Sequence, residues 1–286
     1  MGALSRRDVL ALGGGALATA AFAQGNPAFA QVRTSAHIVI AGGGAAGLAM
    51  ASRLSRALDG ARITMIEPRR KHRFQPGFTL VYAGVWRPAD VLTRTARYVP
   101  SAVRWVEAMV AEIDPEAKAV VLSNGEKLNY DFLVVATGLD LDYRAIEGMD
   151  ESLIGKEGIG SIFAGAEAAA ASGRAFEAYA EKGGLALFGR PATEMKCAGA
   201  PLKVTFLADD AMRRRGNRAK AHIEYLAHSG VVFAVQPVNE RVSAMFAERD
   251  IKVRYHHVLR AIDPGRRRAV FDTREGKAEY NYDYIH

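Results

Sequence analysis

The sequence predicts an α/β fold with two Rossmann-like dinucleotide-binding units in one chain. Three observations predict it. A glycine-rich turn follows a short apolar strand at residue 42, and an acid closes the strand after that. The second half of the chain then repeats the pattern of the first.

The N-terminal thirty residues read as a leader. Ser5-Arg6-Arg7-Asp8-Val9-Leu10 fits the twin-arginine pattern, an apolar run over 10–23 follows, and Ala28-Phe29-Ala30 makes a cleavage site, with Ala21-Phe22-Ala23 as the second choice. That run is too short and too rich in Gly and Ala to span a bilayer. Export by this route delivers a folded protein to the periplasm, which suits an enzyme that acquires its cofactor first. The remaining residues suffice for two domains, expected at 31–150 and 151–286. A single cysteine rules out a disulfide within the chain and marks a free thiol.

The net charge of +7 includes basic runs at 69–71, 213–215 and 266–268. They read as solvated turns and lack the interleaved aromatics that stack bases, so nucleic acid is not an expected partner. Histidines 72, 222, 228, 256, 257 and 286 have no metal-ligand spacing, and no metal site is expected.

The first unit opens with HIVIAGGGAAGLAMASRL from His37. Residues 38–41 form a buried-type strand, and Gly42, Gly44 and Gly47 supply G-x-G-x-x-G. In that pattern the first glycine permits a tight turn, the second lets a pyrophosphate approach the backbone, and the third allows close helix–strand packing. The phosphates then lie on the N-terminus of the helix from Leu48 onward. The next strand, RITMI over 62–66, ends at Glu67, whose carboxylate accepts ribose hydroxyls and argues against a 2′-phosphate. Residues 120–122, an Asn124-Gly125 turn and residues 128–135 read as paired strands. The last runs into Ala136-Thr137-Gly138, an arrangement that two-domain flavoproteins use to close the first FAD segment, so FAD is preferred to NAD.

The second half echoes the first. VAEIDPEAKAVVL at 110–122 is answered by LRAIDPGRRRAVF at 259–271, and Tyr130-Asp131 by Tyr282-Asp283. At a similar offset, the strand before Gly42 answers the strand before Gly189. The second glycine turn, however, is overwritten by Gly-Arg-Pro-Ala-Thr-Glu. A nicotinamide dinucleotide is therefore not expected there, and a flavin would be reduced by something else. The echo also places the last residues inside the strand that answers 132–135, so the chain is expected to be the N-terminal part of a longer protein.

In place of the glycines the segment carries Cys197. It sits in a Gly/Ala/Pro loop, near Lys196 and Lys203, with Pro201 placed to begin a helix that runs to about 215. Helix N-termini and ammonium groups favour the reactive thiolate, which points to a reactive rather than a structural cysteine.

PATEMKCAGAPLK, with FQPGFTLVYAG at 74–84 and the glycine turn, resembles sulfide:quinone oxidoreductase of the group that includes the mitochondrial enzymes. The resemblance implies a glutathione-reductase-like fold that binds FAD. Besides the glycines and Glu67, it implies that Ala45, Ala46, Gln75 and Val110, with Thr137 and Gly138, contact the flavin nucleotide. It implies that Cys197 is one of two redox cysteines and carries a persulfide after sulfide attack. A small sulfur acceptor, a membrane quinone and peripheral contact with the inner membrane complete the picture. The second cysteine, the rest of the flavin site and the membrane surface would lie beyond His286. The nearest rival is the flavoprotein subunit of flavocytochrome c sulfide dehydrogenase, which passes electrons to a cytochrome c subunit. That family has a cysteine in the loop after the second strand, whereas residues 72–80 here have none. Two more distant rivals are an NAD(P)H-dependent flavin reductase and a carrier without turnover.

Overall fold

The computed structural model describes residues 31–193 and 195–286; the leader expected at residues 1–30 lies outside them. Contacts divide the chain into two units. One comprises residues up to Arg70 with Thr95–Thr137, the other Lys71–Arg94 with Gly138–His286.

The first unit runs through β1 (His37–Ala41), α1 (Ala45–Ala57), β2 (Arg62–Ile66) and β3 (Val103–Val106). Then come β4 (Val110–Asp114), β5 (Ala119–Leu122), β6 (Lys127–Asn129) and β7 (Phe132–Val135). Strands β7, β1, β2 and β3 form a parallel sheet in that order. A sheet covered on both faces selects near-continuous apolar strands, and HIVIA and RITMI bury four residues each. Helix α1 has no β-branched residue and lays Leu48 and Ala51 on Ile40, Ile63 and Met65. Strands β4, β5 and β6 form a separate antiparallel sheet.

Residues 128–135, expected as one strand, are two. The chain leaves β6 at Tyr130 and Asp131 and enters the parallel sheet as β7. Asp131 causes the break. Its carboxylate accepts the His37 amide at 2.7 Å while its own amide donates to the His37 carbonyl at 2.9 Å. Those two bonds fix the start of β7 against the start of β1.

The second unit contains α2 (Ala166–Lys182), β8 (Gly184–Gly189), α3 (Ala200–Arg214), β9 (Ala221–Leu226), α4 (Gln236–Glu248) and β10 (Ile251–Arg254). It ends with β11 (Val258–Asp263), β12 (Arg268–Thr273), β13 (Gly276–Asn281) and β14 (Tyr284–Ile285). The parallel order β10, β9, β8, β14 matches β3, β2, β1, β7, and β11–β13 form the antiparallel sheet.

The internal echo extends to backbone detail. The bulge between Val110 and Glu112 in β4 recurs between Leu259 and Ala261 in β11. Lys118 and Arg267, at answering positions in the two hairpins, both adopt positive φ, 48° and 50°. Tyr130 donates its amide to the Lys118 carbonyl at 2.9 Å, and Tyr282 donates to Arg267 at 2.8 Å. Asp283 repeats the work of Asp131, accepting the Leu185 amide at 2.8 Å and donating to the Leu185 carbonyl at 2.9 Å.

The division by contacts differs from the expected 31–150 and 151–286. Residues 71–94 group with the second unit because the apolar face of FQPGFTLVYAG packs there. Phe78, Val81, Tyr82 and Val91 are buried with Phe176, Tyr179 and Tyr284. The Tyr82 and Phe176 rings stand 5.8 Å apart. The change of unit at Thr137–Gly138 falls at the positive-φ glycine that ends the Ala-Thr-Gly segment.

The basic runs are not all solvated turns. Asp209, fully buried on α3, accepts from Arg213 at 2.9 Å, Arg218 at 2.6 Å and Arg249 at 2.8 Å. Arg218 also donates to the carbonyls of Ala221, Arg249 and Asp250. Burial works to raise the Asp209 pKa, but the three guanidinium hydrogen bonds outweigh it and hold the carboxyl below its ordinary 3.8. Breaking a buried, multiply bonded charge costs about 3 kcal/mol or more. Asp209→Asn is therefore expected to destabilise the protein by that amount in denaturant titration at neutral pH. Asp210→Asn, removing an exposed i,i+4 pair with Arg214, should cost under about 1 kcal/mol. A depressed acid stabilises above its unfolded pKa and loses that contribution as pH falls through its folded one. The gap between wild type and Asp209→Asn should therefore close below pH 3.8.

Candidate functional site

Four glycines shape the turn between β1 and α1, each for a different steric reason. At Gly42 (φ +105°) a Cβ would lie 2.2 Å from the Ala136 carbonyl oxygen, so the Ala-Thr-Gly segment closes directly onto the turn. At Gly47 a Cβ would lie 1.8 Å from the Gly42 carbonyl oxygen, which is the close packing expected of the third glycine. Gly44 is different. A Cβ there would meet only an Arg69 guanidinium nitrogen, at 4.0 Å. Its face is open, as a backbone approached by a pyrophosphate requires.

Gly43 is the position that motif spacing treats as variable. Here it is fixed by Glu67, whose Cβ would stand 2.5 Å from an added Cβ. The missing side chain lets the Gly43 amide donate to the Glu67 carboxylate at 2.9 Å. Glu67 is 2% exposed and also accepts from the amide and guanidinium of Arg69. Burial alone would raise its pKa. The hydrogen bonds from Arg69 and Gly43 more than offset this, and the carboxyl stays below its ordinary value.

The first unit thus gathers Gly42, Gly44, Ala45, Ala46, Gly47, Glu67 and Thr137 about one turn. Ala45 and Ala46 are exposed, and α1 begins at Gly44 with no capping side chain and no acid in its first turn. Its N-terminal donors and the open Gly44 face fit a pyrophosphate, and Glu67 fits a ribose. Val110 stands slightly apart, half-buried against the core around Ile66 and Val120. Gln75 and Gly138 belong to the second unit. Gln75 is exposed and opens a 3₁₀ turn, while Gly138 has φ +85° and open space around it. Among the described residues, no group of three His, Cys, Asp or Glu side chains is placed to hold a metal, and no helix is long and apolar enough to cross a membrane.

The equivalent corner of the second unit is built on the same scaffold with other residues. Gly189 pairs with Leu226 as Ala41 pairs with Ile66. The next residue is then Arg190 where the first unit has Gly42. Beyond β9, Ala227 donates its amide to the Arg254 carbonyl at 2.8 Å, as Glu67 donates to Val106 at 3.0 Å. Ala227 therefore holds the register of the ribose acid and offers no carboxylate. Both dinucleotide determinants are absent from this corner. What remains is a cleft of about 520 Å³ within the second unit, lined by Leu187, Gly189, Arg190, Met195, Lys196 and other residues of that unit.

Cys197 follows Lys196 on the ten-residue loop that replaces the glycine turn, and it is exposed. Its carbonyl accepts the Ala200 amide at 3.0 Å at the entrance to α3, whose N-cap is Gly199. The Lys196 ammonium lies 5.8 Å over the Phe163 ring. Desolvation, and then the charge of Arg73, lower its pKa. Gly43, Arg69 and Ala227 escaped the sequence reading. The triple glycine, the cation two residues past Glu67 and the residue after β9 were the signals available for them.

Two Rossmann units, the first with an intact dinucleotide turn, define a dinucleotide-binding protein of the flavoprotein disulfide-oxidoreductase fold, and the family match makes FAD its cofactor. The profile of the pyridine nucleotide-disulphide oxidoreductases matches residues 36–285, and the chain belongs to that family. It is 32% identical over 252 residues to the mitochondrial sulfide:quinone oxidoreductase of Mus musculus, covering 87% of this chain and 55% of the mouse protein. With the mitochondrial sulfide:quinone oxidoreductase of Dictyostelium discoideum the identity is 34% over 252 residues, with the same coverages. The crystal structure of the sulfide:quinone oxidoreductase from Aquifex aeolicus superposes with a TM-score of 0.73 at 24% identity, over 87% of this chain and 57% of that one. The chain spans about half the length of these relatives.

Two glycine substitutions separate folding from binding. Gly43→Ala, which collides with Glu67, should lower both the melting temperature and the flavin content of the purified protein. Gly44→Ala, with open space at its Cβ, should leave the melting temperature of the flavin-free protein unchanged and still reduce bound flavin, read from absorbance.

Proposed function

We propose that this chain is part of an FAD-dependent enzyme that oxidises sulfide to sulfane sulfur and passes the electrons to a membrane quinone. One observation carries the reading. In the second unit the determinants of a nicotinamide dinucleotide are replaced by Arg190 and Ala227, and an exposed cysteine stands on the substituted loop. The similarity to proteins named sulfide:quinone oxidoreductase supports it.

In this reading Gly42, Gly44, Ala45, Ala46, Gly47, Glu67, Gln75, Val110, Thr137 and Gly138 hold FAD, which when bound supplies the two-electron acceptor. Cys197 is the catalytic sulfur. It is paired with a second cysteine that is not among these 286 residues, because the sequence has one. Hydrosulfide attacks the Cys197 sulfur of the pair and breaks the sulfur–sulfur bond. Cys197 becomes the persulfide, and the other cysteine leaves as thiolate carrying the electron pair. A nucleophilic acceptor then removes the sulfane sulfur and returns Cys197 as thiolate, and the two thiolates re-form the sulfur–sulfur bond by giving up two electrons, for which bound FAD would be the acceptor. Exposure of Cys197 permits both approaches. A twin-arginine leader places this chemistry in the periplasm, at the surface of the inner membrane.

Anaerobic mixing of the full-length protein with sulfide should bleach the flavin band near ~450 nm, and Cys197→Ser should abolish the bleaching. NADH should bleach neither protein. Bleaching by NADH with no response to sulfide would overturn the proposal. Reoxidation by a soluble quinone, and not by cytochrome c, is the expected second half of the cycle.

A further inference from the structure

Glu67 is placed to receive a ribose, yet its carboxylate has no vacant acceptor position. A carboxylate offers about four lone-pair sites in its plane. One oxygen accepts the Arg69 amide at 2.9 Å and the Arg69 Nε at 2.7 Å. The other accepts the Gly43 amide at 2.9 Å and an Arg69 terminal nitrogen at 2.9 Å. The two amide bonds are fixed by the backbone of the turn. The two guanidinium bonds come from a side chain that is 47% exposed. Ribose hydroxyls reach Glu67 by displacing the guanidinium, since nothing else there can give way.

The displaced group has a destination close by. The same Arg69 terminal nitrogen that bonds Glu67 lies 4.0 Å from the position a Cβ would take on Gly44, the glycine with the open face. A pyrophosphate lying on that face brings negative charge beside the buried carboxylate of Glu67. A guanidinium satisfies two phosphate oxygens in a bidentate fork, and this one already borders the open Gly44 face.

We infer that Arg69 is a cofactor-binding residue that exchanges partners, pairing with Glu67 in the free turn and with the FAD pyrophosphate in the loaded one. The inference rests on the reading of this turn as the FAD site. It gives Arg69 two duties. Before loading it holds the ribose acid charged and oriented. After loading it offsets the charge of the phosphates and leaves Glu67 to the ribose.

The test uses purified protein stripped of flavin and reloaded with FAD, followed by flavin fluorescence, with ADP and adenosine as competitors. Wild type should prefer ADP to adenosine, because only ADP presents phosphates. Arg69→Met should weaken FAD binding about tenfold and remove most of that preference, with a flatter dependence on salt. Arg69→Lys, which keeps a point charge and loses the fork, should recover part of both and guards against misfolding of the methionine variant. An unchanged ADP-to-adenosine ratio in Arg69→Met, or tighter FAD binding, would overturn the exchange and leave Arg69 as a structural partner or a mere competitor. Failure of wild type to take up FAD would remove the cofactor reading itself and the inference with it.

Discussion

The hydrogen bonds on the Glu67 carboxylate are the interaction on which the turn of the first unit depends. The residue is buried at the end of β2, where a lone charge would be costly, and it stays ionised because Gly43 and Arg69 solvate it. The same bonds tie β2 to the turn after β1. The conformation of the turn is therefore set by the acid that the proposed function gives to the ribose, and in that reading preorganisation of the site and stability of the corner are one property. It also explains why three consecutive glycines are needed. Gly42 passes under the Ala136 carbonyl, Gly43 yields its Cβ space to Glu67, and Gly44 keeps an open face.

The two units share what the fold needs and differ where a ligand would lie. The Asp131 and Asp283 clamps recur with the same geometry, as do the hairpin bulges and the positive-φ residues Lys118 and Arg267. These features determine how strands pair and where the chain re-enters the parallel sheet, so substituting them would cost the scaffold. Glycine turn and ribose acid carry no such duty in the second unit. Position 227 can be alanine because the backbone bond to Arg254 holds the register without a side chain. Divergence was free at the carboxyl ends of the strands, and there the second unit has a cleft, a long loop and a thiol.

Legibility in the sequence followed the same division. Both Rossmann units could be read because glycine spacing, apolar strands and the repeat are written in local residue types. Three things were not legible, the first two because they depend on partners far along the chain and the third because the burial of a nearby acid is not written in local residue types. The break at Asp131 requires knowing that its carboxylate caps the His37 amide, ninety-four positions earlier. The placement of 71–94 requires knowing that Tyr82 meets Phe176. Arg69 and Arg213 looked like members of solvated basic runs until buried carboxylates appeared beneath them. Charge runs are a poor guide to exposure whenever one member can reach a buried acid.

The position of Cys197 follows from the shared scaffold. In a doubly wound sheet the ligand crevice opens at the carboxyl ends of the central strands, where the connections leave in opposite directions. In the second unit that crevice lies after Gly189 at the carboxyl end of β8, the strand flanked by β9 on one side and β14 on the other. A dinucleotide turn there would bind through backbone amides drawn close by glycines. The ten-residue loop cannot do this, since Arg190 and Pro191 occupy the tight part of the turn and Pro191 has no amide to give. Length that is useless for gripping phosphate is useful for carrying a side chain outward, and Cys197 is carried to an exposed position just before α3 begins. A thiol intended for packing would have been placed on β8 or on the buried face of α3, among Leu187, Phe188 and Val204. The same crevice that would hold a dinucleotide when lined with glycine presents an exposed thiol when the turn is exchanged for a cysteine-bearing loop, which is what the proposed sulfur chemistry requires. The scaffold fixes the location, and the loop fixes which side chain is presented there.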